Sequence, residues 1–120
     1  MPIRSTYFET VVGTPPEGWT LGHFTLNLVN PSERIPIEAW RRDAFAVHQI
    51  AVDAGIIAGL SHAPTGHRIY TFTSMDDAAA CADELLPLTN WSAITDRLPQ
   101  GSELFPRAKR IIQRHHGLLP

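Results

Sequence analysis

The stretch "IEAWRRDAFAVHQIAVDAG", residues 37–55, carries the longest helical signal in the chain and decides the fold. Ile37, Trp40, Ala44, Val47, Ala51 and Ala54 fall on one stripe at helical spacing, and Gly55 is a natural stop. Pro36 suits a first turn. Glu38 lies near the positive end of the helix dipole and can pair with Arg42 one turn on. The pattern predicts a helix over residues 37–54. Phe45, Ile50 and Val52 lie off the stripe, so this helix is apolar on more than one side. It is expected to be covered on two faces, and hence central.

Upstream, "YFETVV" (7–12) is β-branched and aromatic and reads as a strand, while "GTPPEGW" (13–19) is a Pro- and Gly-dense loop. "HFTLNLVN" (23–30) alternates, with Phe24, Leu26 and Leu28 on one face and Thr25 and Asn27 on the other. "NPSERIP" (30–36) breaks that strand. Downstream, "GLSHAPTGHRIYTF" (59–72) is a hairpin around a Pro-Thr-Gly turn. "SMDDAAACADELL" (74–86) is a helix with Ser74 as N-cap and Asp76 and Asp77 in its first turn. "NWSAITDRL" (90–98) reads as a short helix capped by Asn90, and "SELFPRAKRIIQRHHG" (102–117) as a final helix stopped by Gly117. The order ββαββα with two further C-terminal helices implies a single α+β domain over residues 1–120. Its antiparallel sheet is expected to have three or four strands, with the helix 37–54 packed across it. Leu26, Trp40, Val47, Leu60, Phe72 and Leu85 are the expected core.

The hairpin admits two registers. A two-residue loop, Pro64-Thr65, sets His62 directly opposite His67, close enough to share a metal or a proton. A three-residue loop, Pro64-Thr65-Gly66, with Gly66 left-handed as a bulge, pairs His62 with Arg68 and Ala63 with His67. A type I turn at Pro64 fits strand twist only when a left-handed glycine follows it. The bulged register also gathers Ala58, Leu60, Tyr70 and Phe72 on one face. It is the expected one, and it points His62 and His67 to opposite faces.

Composition bounds the function. At 120 residues with 43% apolar and 18% charged, the chain can bury one core and is not disordered. A single cysteine, Cys81, excludes an internal disulfide framework and any C-x-x-C zinc pattern. The opening "MPIRSTYFET" has no apolar h-region and no segment approaches a membrane span, so a cytoplasmic protein without membrane contact is expected. A net charge of −2 gives no global field for nucleic acid. Nine arginines to one lysine, Lys109, suggest a GC-rich bacterial coding sequence.

Candidate chemistry is thin. His62 and His67 have zinc-like spacing, and His23, His115, His116 or Cys81 could complete a set, but no motif fixes one. Cys81 sits in an alanine-rich helix that reads as buried, and His48 reads as a hydrogen-bonded core histidine. "GLSHA" (59–63) echoes a nucleophile elbow, yet Ser61 enters a hairpin rather than a strand-turn-helix. "GTPPEG" (13–18) has no G-K-[ST], and its prolines remove donors a phosphate would need. No carboxylate pair is placed for acid–base work, and no cofactor is implied.

The C-terminal helix stands out. Leu104, Ala108, Ile111, Ile112 and His115 form an apolar stripe; Arg107, Arg110 and Arg114 form an outer one, with Lys109 beside it and no acid from 106 to 116. A solvated face whose cations suit the dipole's C-terminal end is one reading. A contact for an acidic protein or a phosphate backbone is the other. Four charges can position a duplex but cannot read its sequence, and no aromatics are interleaved for a single strand.

"SHAPTGHRIYTFTSMDDAAACADELLPLTNWSAI" (61–94) resembles short bacterial proteins carried on phages and integrative elements, in which a His-x-Pro-Thr-Gly hairpin precedes an alanine-rich helix and a Trp. The resemblance covers about a third of the chain; it implies no activity and carries over no site residue, but small single-domain proteins of that origin are often accessory factors that bind a host or element-encoded machine, as anti-CRISPR proteins do. The leading expectation is a non-enzymatic binding protein that occupies a surface on a larger protein partner and inhibits a host defence complex. A nucleic-acid-binding accessory protein using the C-terminal helix is the alternative. A small enzyme or metal protein centred on the histidines is a third. Self-association stays open. The candidate contact residues are Arg107, Lys109, Arg110 and Arg114 on the helix, and His62, His67 and Arg68 around the rigid hairpin tip.

Overall fold

Residues 37–53 form two strands and a tight turn, not a helix. A computed structural model of the chain describes residues 6–8, 10–29, 32–53, 55–94 and 104–118. Six strands come first: β1 (Thr6–Tyr7), β2 (Thr20–Val29), β3 (Ser32–Arg42), β4 (Phe45–Val52), β5 (Gly55–His62) and β6 (His67–Phe72). Two helices follow, α1 (Met75–Leu85) and α2 (Leu104–Arg114), with 3-10 turns at Leu86–Leu88 and Trp91–Ala93 between them. The protein is α+β. Its sheet is a five-strand antiparallel meander in the order β2-β3-β4-β5-β6, which replaces the expected three or four strands and the ββαββα order.

The correction at 37–53 has a physical cause. Arg42 pairs with Phe45 across a turn made by Asp43 and Ala44. Asp43 takes φ 50, a left-handed value its short polar side chain tolerates, so the turn needs no glycine to announce it. The apolar residues on both sides are real, but they belong to a central strand: Phe45, Ala46, Val47 and His48 are all buried. A run buried on both faces cannot be told from a buried helix by periodicity alone. Pro36 lies in β3 opposite Thr25, in the part that β4 does not pair, since the β3–β4 ladder covers only residues 40–42. Beyond that point β1 takes over the same edge of β4, with Tyr7 opposite Ile50.

The sheet has two buried faces. On one, Trp40, Phe45, Val47, Leu60 and Phe72 share a core with Ala78, Ala79, Ala82 and Leu85 of α1 and with Ala108, Ile111 and Ile112 of α2. On the other, Phe24, Leu26, Ile37, Ala39 and Ala46 form a second cluster. The β2–β3 hairpin curls over that face until the Asn27 N–H donates to the Gly66 carbonyl at 2.8 Å. Gly66 is required there: its φ is 75, and a Cβ would run into the Thr25 carbonyl oxygen. Arg41 holds the curl at the other end by donating to the carbonyls of His23, Asp43 and Phe45 at 2.9, 3.0 and 3.1 Å. All six expected core residues are buried.

The helices follow their sequence signals more closely. Ser74 Oγ accepts from the Asp77 N–H at 3.1 Å, and Asp76 and Asp77 occupy the first turn of α1. The helix expected over 90–98 is only the 3-10 turn Trp91–Ala93, and Asn90 makes no side-chain cap; residues 95–98 lie outside the described ones. α2 closes with His116, not Gly117, in the left-handed conformation at φ 61, and the Gly117 N–H returns to the Ile112 carbonyl at 3.0 Å. The Leu104 side chain also lies outside the described residues. None of the described helices is long and apolar enough to cross a membrane.

Candidate functional site

The hairpin tip is the first candidate, and its register differs from expectation. His62 pairs with His67 across a four-residue loop, residues 63–66, closed by the Gly66 N–H donating to the His62 carbonyl at 2.8 Å. The bulge falls between Leu60 and Ser61, so Leu60 still pairs with Tyr70 and Ala58 with Phe72. Moving the extra residue up the strand keeps the apolar face and puts both histidines on the same side. They still do not form a metal pair. The Trp91 carbonyl can only accept, so His62 Nε2, 2.7 Å away, carries the hydrogen; Nδ1 then accepts from the Thr65 hydroxyl at 2.9 Å. No lone pair of that ring is left for a metal. Arg68 pairs with Ser61 and so lies on the opposite face, where its guanidinium donates to the Tyr7 hydroxyl at 3.4 Å. The tip therefore does not gather His62, His67 and Arg68 into one surface.

A second cluster lies inside the sheet. His48 Nε2 sits 2.9 Å from Ser61 Oγ, and both side chains are fully buried. The Phe24 ring packs 5.3 Å from the imidazole, and Tyr7 lies at 6.1 Å. Burial, reinforced by the Arg68 charge, pushes the His48 pKa down to about 4. A nucleophilic serine needs its histidine oriented through the second ring nitrogen, and it needs a path for substrate. Here Nδ1 has no hydrogen-bond partner among the described residues, and the pair is sealed. His48 is a core histidine, as its sequence surroundings suggested, although it sits on a strand. No group of three or more His, Cys, Asp or Glu side chains able to hold a metal occurs among the described residues.

Cys81 is likewise sealed, on the inner face of α1, and burial, with Glu84 acting in the same direction, pushes its thiol up to about 12. It is expected to react with a thiol reagent at neutral pH only at the rate of unfolding. Prompt stoichiometric labelling of the native protein would show that the inner face of α1 is not seated on the core.

The third candidate is α2. Ala108, Ile111 and Ile112 dock the helix on the core, and Arg107, Lys109 and Arg110 are exposed. Arg107, Arg110, Ile111 and Arg114 follow one another at i, i+3, i+4 and i+7, so they share one side of the helix. Together with Gln113, and with Leu88 from the 3-10 turn Leu86–Leu88, they line a groove of about 610 Å³. Lys109 is outside it. Arg114 donates to Glu84 Oε2 at 3.3 Å, and His115 Nε2 lies 2.9 Å from the same oxygen. Arg107, Lys109 and Arg110 make no ion pair among the described residues.

The arginine stripe was legible in the sequence. The opposite wall was not: Leu88 lies 23 positions before Ile111, and only the fold brings them together. The acid that holds Arg114 was missed for a similar reason, since Glu84 comes from another helix. No protein-family model, curated protein or solved structure matches the chain.

Proposed function

We propose that this protein is a small non-enzymatic binding protein that acts by occupying a surface on a larger protein partner, with the cationic side of α2 as its contact face. One observation carries the reading: three exposed cations stand side by side on α2 with no ion pair among the described residues. Arg41 is engaged by backbone carbonyls, Arg42 by Asp83 at 2.5 Å and Arg114 by Glu84. Arg107, Lys109 and Arg110 stand exposed together with no such use among the described residues. Exposed arginines are over-represented at binding hot spots. A protein partner fits better than a nucleic acid, because the chain's net charge is −2 and three cations release few counterions. The resemblance of residues 61–94 to phage and integrative-element proteins favours an accessory role, with inhibition of a host defence complex as the form it takes.

Reversing Arg107, Arg110 and Arg114 to Glu tests this. The melting temperature should move little, because the one ion pair lost is exposed and such pairs contribute roughly 0–1 kcal/mol. Capture of a protein partner from a lysate of the source cells, at low and at high salt, should be lost. A triple variant that retains the band captured by wild type would leave the stripe as a solvated face. Salt-labile, nuclease-sensitive material in its place would favour a nucleic-acid contact.

A further inference from the structure

We infer that the groove between the 3-10 turn Leu86–Leu88 and α2 takes an acidic protein segment that carries an apolar side chain between its carboxylates. The inference rests on the reading of α2 as the contact face, and it names what that face recognises.

The chemistry of the lining selects the occupant. Of the six described residues that line it, three are arginines, one is an amide, and none is acidic. Arginine presents a planar fork of donors that matches a carboxylate in two-point contact, which a lysine ammonium does not. The only lysine of the helix, Lys109, lies off the groove. Between the arginines the wall is apolar: Ile111 is 7% exposed and Leu88 is only partly covered. A phosphate backbone has nothing to place against Leu88 and Ile111, whereas a Leu, Ile or Phe side chain does.

The spacing sets the length. At 1.5 Å per residue, Arg107 and Arg110 lie about 4.5 Å apart along the axis, and Arg107 and Arg114 about 10 Å. Two carboxylates on a short segment span that distance with one apolar side chain between them. Gln113 adds an amide able to meet the segment's backbone. Glu84 marks the far limit: its contact with Arg114 is exposed, at 3.3 Å, so the segment's second carboxylate shares Arg114 with it while the first meets Arg107 and Arg110.

A labelled acidic nonapeptide with one central leucine is the probe, followed by fluorescence polarisation against the intact protein. Arg107→Glu and Arg110→Glu should each weaken binding about tenfold or more, and Lys109→Glu by less than about threefold. Replacing the peptide's leucine by serine should cost about tenfold, the scale of burying one such side chain. A duplex oligonucleotide should compete poorly. Equal losses at Arg107, Lys109 and Arg110, with no dependence on the leucine, would overturn the inference and leave a diffuse electrostatic surface. Absence of peptide binding in a protein whose native partner is still lost on reversing Arg107, Arg110 and Arg114 would also overturn it, while α2 as the contact face would survive.

Discussion

Replacing Phe72 by alanine is expected to lower the unfolding free energy by about 3–5 kcal/mol. The ring is fully buried where β6 meets the helical layer, opposite Ala58 and 6.2 Å from Tyr70. It shares its cluster with Leu60 on β5 and with the alanines of α1. Those alanines have no rotamers with which to fill a void, so the cavity should stay open and the cost fall in the upper part of the range. Domains of this size have about 5–15 kcal/mol in all, so the variant should be marginal. Urea unfolding measures it: the midpoint should fall with little change in slope. Phe72→Leu should recover most of the loss. A deficit below about 1 kcal/mol in the alanine variant would mean that β6 does not seat the helices as described.

That prediction could be made from sequence, and it is instructive that the fold around it could not. Alternation in β2 is clean because one face is buried and the other is wet, so Phe24 and Leu26 were placed on the right side. Ser74 and its two aspartates announced α1 because capping is local chemistry. Residues 37–53 have neither advantage. Ala39, Ala44, Ala46 and Ala51 suit a helix at least as well as a strand, and β4 lacks the polar face that would show a period of two. The turn that divides the segment is Asp43-Ala44, without Gly, Asn or Pro. Sidedness survived the error: the segment is central and covered on both faces, as strands.

The hairpin shows the complementary limit. Its apolar face fixed Leu60 against Tyr70 and Ala58 against Phe72, and the fold keeps both pairs. What lay beyond reach was where the extra residue goes, because the Ala63 N–H is drawn to the Ala44 carbonyl of a neighbouring turn and His62 to the Trp91 carbonyl. Long-range partners decided the tip, as they decided the groove, where Leu88 and Glu84 complete a surface whose arginines alone were visible.

Acid should destabilise this protein through His48, by about 3 kcal/mol between pH 6.5 and 4. A Cβ at Gly59 would come within 2.7 Å of the imidazole Cε1, so the ring lies directly against the β5 backbone, with Phe24 packed on it. Its Nε2 is 2.9 Å from Ser61 Oγ, and the Arg68 charge opposes protonation. The folded ring therefore gains its proton only near pH 4, whereas in the unfolded chain it does so near the ordinary histidine value of about 6.5. Above 6.5 neither state is protonated there, and the group does not affect the balance. Between 6.5 and 4 the unfolded state binds more protons, so stability falls as pH falls, by about 1.4 kcal/mol per unit. Below 4 both states are charged and the loss is complete. Urea titrations at pH 7, 5.5 and 4.5 on wild type and His48→Gln separate this from the carboxylates, whose contribution both proteins share. The variant should be the less stable at pH 7 and the less pH-sensitive below it, so that the two curves converge on acidification. Parallel curves would show that folding does not shift the titration of the ring. A His48 proton resonance that moves with a midpoint near 6.5 in the native protein would show the same thing directly, and would mean that water reaches the ring.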